Sequence, residues 1–252
     1  MPRPTTIQQV LDELDSIISD SIATNSRLGL FAYIYRRTTA EIAAEIDLGN
    51  FEDNQRLELL DVDFANLYLD AYKAYKNNQP VSASWAFAFE HAKEPLNIVQ
   101  HIMLGMNAHI NLDLAIATAT TMSGKDIRDI EQDFNKVNAI LFQITNELQD
   151  RLSRVSPLLF VLDWLGKNTD EQIIDFSMRK AREQSWNSAN LLWPLTGSSQ
   201  FETTKNGIDQ LVLKLSQHIA APKSRIIRFF LKVIQKFETK EVSRIISKLK
   251  AE

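Results

Sequence analysis

Residues Pro95 to Met122 read PLNIVQHIMLGMNAHINLDLAIATATTM, and how this stretch is read decides the fold. Its only formal charge is Asp113, yet it carries Asn97, Gln100, His101, Asn107, His109 and Asn111. A surface helix shows one apolar stripe, whereas a helix without charge on any side belongs inside. Each buried amide, imidazole or carboxylate then needs a partner, because leaving one unpaired costs about 1–3 kcal/mol. The spacing predicts a buried helix over 95–122 with a polar network running through it. Pro95 suits its first turn, where a missing N–H costs nothing, and Ser123-Gly124 closes it.

Outward from this helix, apolar residues recur at intervals of three and four, and no run alternates as a strand would. Thr5 and Thr6 cap a helix carrying Ile7, Val10, Leu11, Leu14, Ile17 and Ile18. A second helix spans about 27–46, with Gly49 as its stop, and a third spans about 54–76, ended by NNQP. Ser82 or Ser84 caps a short aromatic helix, SASWAFAFEHA. A long helix follows from Lys125 to about Ser153, then the apolar run LLFVLDWLG after Pro157, then a helix capped by Thr169-Asp170 that reaches about Trp193. Seven glycines and seven prolines in 252 residues fit this picture. The expectation is an all-α single domain over 1–221, a bundle of about eight or nine helices around the 95–122 helix.

Residues 222–252 differ in composition. From Lys223 to Glu252 nine Lys or Arg stand against three Glu, in a chain of net charge −4. Ile226, Ile227, Phe229, Phe230, Val233, Ile234 and Phe237 give this basic tail an apolar side. Such a helix lies on an anionic membrane, binds a protein, or docks on the core with its lysines in water.

The overall negative charge argues against nucleic acid as a partner. Cysteine is absent, which excludes disulfides, thiolate metal sites and a cysteine nucleophile. Residues 95–122 are long enough to span a bilayer, but their Asn, His and Asp content makes that expensive, and they lack flanking clusters of Lys and Arg. With no basic-then-apolar leader either, the expected location is cytoplasmic.

Four segments, RLGLFAYIYRRTTAEI (27–42), GNFEDNQRLELLDVDFANLYLDAY (49–72), LGMNAHINLDLA (104–115) and REQSWNSANLLW (182–193), resemble the domain-of-unknown-function family 5995. The resemblance implies an all-α single domain of about this size and carries no activity with it.

Chemistry therefore has to come from the residues. His101, Gly105, His109 and Asp113 step by four along one helix face. His109 and Asp113 can share a metal ion, zinc, iron or manganese by ligand type, or bond each other. Gly105 leaves room for a close approach. Asn107 and Asn111 form a second pair, suited to bridging helices or orienting a ligand. Asp61, Asp63 and Asp133 interrupt apolar faces. Arg182 and Trp186 share a face of the penultimate long helix, where an arginine clamps an anion or pairs with Asp61 or Asp63. The motifs ExxH, HExxH, GxSxG, GxGxxG and the phosphate-binding loop are all missing.

The leading expectation is a metal-assisted hydrolase. His109 and Asp113 act as metal ligands, Asp63 and Asp133 as further ligands or general base, and His101 as acid or base. The alternatives are a binding protein for a small apolar molecule, oriented by Asn107, Asn111 and His101 with Arg182 and Trp186 as further ligand-binding residues, and a structural or adaptor protein acting through its basic tail.

Overall fold

The computed structural model describes residues 2–156 and 178–250, without the side chains of 142–150, 178 and 179. The run LLFVLDWLG and the Thr169-Asp170 cap lie outside the described residues. Among those described, eleven α-helices are present and no strand. They are α1 (Ile7–Ala23), α2 (Leu28–Asp47), α3 (Asn54–Lys76), α4 (Ala83–Glu90), α5 (Ile98–Ala108), α6 (Leu114–Thr121), α7 (Glu131–Val155), α8 (Met178–Leu192), α9 (Ser199–Ala220), α10 (Arg225–Phe237) and α11 (Val242–Lys250). Also among the described residues, no helix is long and apolar enough to cross a membrane.

The expected 95–122 helix is α5 and α6, joined by a π-turn over His109–Asp113. None of residues 97–119 is exposed, in keeping with Asp113 as their only formal charge. α5 packs on α2, α4 and α9, the π-turn on α3, α8 and α9, and α6 on α3 and α8.

Nine of the described helices lie within 1–221 and two beyond it, and two segments expected as single helices are divided. The π-turn divides the central helix, and the segment after Pro222 holds two helices broken at 238–241. α11 buries Val242, Ile245, Ile246 and Leu249 against α1, α2 and α7. Its last turn is also fastened, since the Leu249 carbonyl accepts hydrogen bonds from Tyr33 Oη at 3.0 Å and Arg151 Nη1 at 2.6 Å.

Several caps are as the sequence predicts. Thr6 Oγ1 accepts from the Gln9 amide at 3.3 Å, and Gly49 ends α2 with φ of 72°. Others arrive from distant helices. α4 is capped by Asp209 of α9, whose carboxylate takes the Ala83 amide at 2.6 Å and the Ser84 amide at 3.0 Å. Neither Ser82 nor Ser84 does that work. Pro95 precedes α5 and is not in its first turn. There the Asn97 amide bonds Gln100 Oε1 at 3.1 Å, and the Ile98 amide bonds Glu238 Oε2 at 2.9 Å. Gln100 Nε2 in turn donates to the Ile219 carbonyl at 2.8 Å, satisfying an orphan acceptor at the end of α9.

α5 crosses α2 at Gly105. A Cβ placed there would sit 2.4 Å from Phe31 Cγ, so the helices meet this closely only because the side chain is a hydrogen. Gly207, within α9, has nothing within 4 Å of such a Cβ. Gly105→Ala therefore lowers unfolding free energy by about 1–3 kcal/mol through overpacking. Gly207→Ala raises it by a few tenths to about 1 kcal/mol through helix propensity. Urea titration of both variants checks the opposite signs.

Candidate functional site

The π-turn brings the central polar residues together. His109 and Asp113, four apart, meet with Nδ1 and Oδ2 at 2.9 Å, and both are buried. Trp85 of α4, fully enclosed, donates its indole N–H to the same Oδ2 at 2.9 Å. With the indole N–H on Oδ2, assigning His109 the Nδ1–H tautomer makes Oδ2 the acceptor of both bonds and leaves Nε2 as a bare acceptor. Burial pushes the Asp113 carboxyl well above the ordinary carboxylate range and His109 well below the ordinary imidazole range. Each is thus driven toward its neutral form. The imidazole lies flat on Phe64, with ring centres 3.7 Å apart and 8° between planes, and meets Tyr35 edge-on at 4.3 Å.

His109 forms part of the wall of a partly enclosed cavity of about 60 Å³ between α2, α3, α5, α7 and α8. Phe31, Ile34, Ile42, Phe64, Met106 and Ile110 supply apolar walls. Tyr35, Thr38, Asp61 and Arg182 supply polar ones. Among the described residues, twelve buried side-chain N or O atoms have no hydrogen-bond partner, and three of them, Tyr35 Oη (with the Thr39 hydroxyl nearby), Asp61 Oδ2 and His109 Nε2, line this cavity.

Burial raises Asp61 to about 7, against the opposing pull of the Arg182 charge. Arg182 is itself lowered to about 9 by burial and so stays protonated at neutral pH. Its Nε donates to Asn138 Oδ1 and its Nη2 to the Phe134 carbonyl at 2.9 Å, with the guanidinium 4.4 Å from the Phe134 ring centre.

The other candidate residues lie elsewhere. His101 is buried near Arg27; burial and that charge take it down to about 3, and it does not line the cavity. Asp63 accepts from Thr121 Oγ1 at 3.1 Å. Asp133 is fully enclosed and holds the turn before α3, accepting from the Glu52 amide at 2.7 Å and the Asp53 amide at 3.1 Å, with Arg56 alongside at 3.5 Å. Asn107 Nδ2 bridges α5 to α9, reaching the Val212 carbonyl at 2.9 Å and Ser216 Oγ at 2.8 Å, while its Oδ1 accepts from Asn111 at 3.0 Å. Trp186 packs beside Phe134 with ring centres 5.0 Å apart. Among the described residues no three His, Asp or Glu side chains converge as a metal site would require.

Tyr35 and Trp85 are the residues whose part the sequence hides. Both read as core aromatics. The available signal was generic: a buried indole or phenol needs a polar partner, and an uncharged stretch containing one Asp is where the indole would find it.

The family-of-unknown-function model DUF5995 matches residues 7–222, and the chain belongs to that family. No curated protein and no solved structure matches the chain.

Asp61 makes the cavity's electrostatics measurable. Its folded-state pKa of about 7 lies above the ordinary 3.8. The folded state therefore binds more protons than the unfolded state between these values, and Asp61 costs stability progressively as pH rises from about 4 to 7. Asp61→Asn removes that cost. The variant is stabilised relative to wild type at pH 8 by up to about 4 kcal/mol, and by much less at pH 5. Equal differences at the two pH values in urea titrations would show that Asp61 is not buried as described.

Proposed function

We propose that the protein binds a small molecule in this interior cavity, and that the His109–Asp113 pair is the orienting part of the site. The three unpartnered polar atoms carry the reading. Tyr35 Oη, Asp61 Oδ2 and His109 Nε2 are each buried beside an apolar space. Leaving three such groups dry would cost several kcal/mol in sum, so water or a ligand has to serve them.

The chemistry of the lining defines the occupant. Neutral His109 offers a lone pair at Nε2 and Tyr35 offers a hydroxyl hydrogen, while the remaining walls are largely aliphatic and aromatic. A matching ligand has only a few heavy atoms, an O–H or N–H donor for His109, an acceptor for Tyr35 and an apolar remainder. Short alcohols, carboxamides and protonated carboxylic acids meet that description. A cavity near 60 Å³ is too small for a nucleotide or a sugar.

A second reading, acid–base catalysis on such a molecule, rests on one specific observation. The imidazole is fixed through Nδ1 by the Asp113 carboxyl group and leaves Nε2 free, the geometry in which a general base is held. A metal-assisted hydrolysis draws less support from the donor set. His109 Nδ1 and Asp113 Oδ2 are engaged with each other, and Asp63 and Asp133 bond to Thr121 and to backbone amides.

Tyr35→Phe tests the binding reading, because it deletes one unpartnered atom and leaves the packing intact. Without added ligand the variant melts near the wild-type temperature, since the hydroxyl has only a weak contact with Thr39 to lose. Its affinity for the short alcohol or carboxamide that most raises the wild-type melting temperature falls about tenfold, the equivalent of one hydrogen bond. A variant destabilised by 1 kcal/mol or more, or a probe panel that raises the melting temperature of neither protein, rejects the site.

A further inference from the structure

We infer that α10 is a membrane-surface element that inserts Ile226, Phe229 and Phe237 into the interface of an anionic bilayer. The argument is independent of the interior cavity. At 100° per residue, the eight apolar residues of α10 fill a continuous arc of about 200°, and the core covers only part of it. Ile227 is 3% exposed and Ile234 1%, whereas Ile226, Phe229 and Phe237 are 53%, 62% and 66% exposed. These three side chains form one outward strip. Arg225, Lys232 and Lys236 border it, with Arg228 beyond, and all four are exposed. None of the four is ion-paired among the described residues.

Two further observations select a lipid surface. Between Lys223 and Phe237 there are five Lys or Arg and no acid, so the local field is positive although the whole chain carries −4. Such local charge pairs with the anionic headgroups that the protein as a whole would repel. The strip is also held in a fixed direction. Asn97 Nδ2 bonds the Leu231 carbonyl at 3.0 Å, Gln235 bonds the Pro95 carbonyl, and Glu238, just past the helix, caps α5. The helix therefore cannot turn its exposed aromatics inward without breaking the cap of the central helix. A row of protruding phenylalanines flanked by flexible cations suits the headgroup boundary.

The test is sedimentation of the full chain with phosphatidylcholine vesicles, with and without about one third phosphatidylserine, at low and high salt. The expected result is partitioning onto the anionic vesicles on the order of tenfold stronger than onto the neutral ones, and weakened by salt. Phe229→Ser with Phe237→Ser, and separately Arg228→Glu with Lys232→Glu, each reduce it about tenfold. Their melting temperatures stay near wild type, because all four positions are exposed. Equal partitioning onto both vesicle types, or partitioning unaffected by either pair of substitutions, overturns the inference. So does a dimer in sedimentation equilibrium that the phenylalanine substitutions dissolve in the absence of lipid binding, since the strip would then belong to a second copy.

Discussion

One carboxylate oxygen accepting two N–H groups fixes the centre of this protein. Asp113 Oδ2 takes the indole hydrogen of Trp85 and the imidazole hydrogen of His109, each at 2.9 Å. That joins α4 to the π-turn and sets the plane of the imidazole, which in turn stacks on Phe64 and meets Tyr35. The π-turn widens the helix by one residue within a turn, and over His109–Asp113 every side chain of that wider turn is buried. One turn earlier, Gly105 lets α2 lie directly against α5, which brings Phe31 and Tyr35 to the ring. Removing the carboxylate would orphan two buried donors at once, a cost greater than any single contact around it.

Around this centre, polar side chains are used mainly to terminate neighbouring helices. Asp209 caps α4, Glu238 caps α5, Asp133 holds the turn before α3 and Gln100 serves the end of α9. Each joins elements that are distant in sequence, so a cap and a tertiary contact are made by the same atoms. Glu238 shows the balance most clearly. Burial raises its carboxyl above the ordinary range, while the Ser156 hydroxyl, the Ile98 amide and the Arg27 charge pull it back down. Asn107 and Asn111 belong with this bridging group. What sets the cavity apart is that three unpartnered polar atoms, on Tyr35, Asp61 and His109, line one space.

The features legible in the sequence are those set by local spacing. A single formal charge in 97–119 foretells burial on every side, and the spacing of four between His109 and Asp113 foretells their contact. Gly49, Thr6 and the NNQP turn mark helix ends because left-handed backbone and side-chain capping are properties of a few neighbouring residues. The remote caps were not legible. Asp133 looks like a stray acid on an apolar face until the turn before α3 arrives to use it, and Asp209 draws no notice until α4 does, which depends on how the helices cross. The π-turn was hidden for the same reason: an inserted residue leaves a composition indistinguishable from that of a regular helix. Tyr35 was visible as an aromatic, but its want of a partner is a property of the surrounding space.

The charge state of the cavity follows from two of its walls. With Asp61 near 7 and Arg182 near 9, acidification neutralises the carboxylate while the guanidinium stays charged. Below neutrality the interior then holds one uncompensated cation, and above it a carboxylate shares the space. Coulomb interactions are strong in so apolar an enclosure, so the same small molecule meets a different field on either side of pH 7. A ligand carrying partial negative charge gains from the acid form, and its binding raises the proton affinity of Asp61 by the same coupling. Under the proposed binding, occupancy, protonation and stability of the bundle are linked through one aspartate.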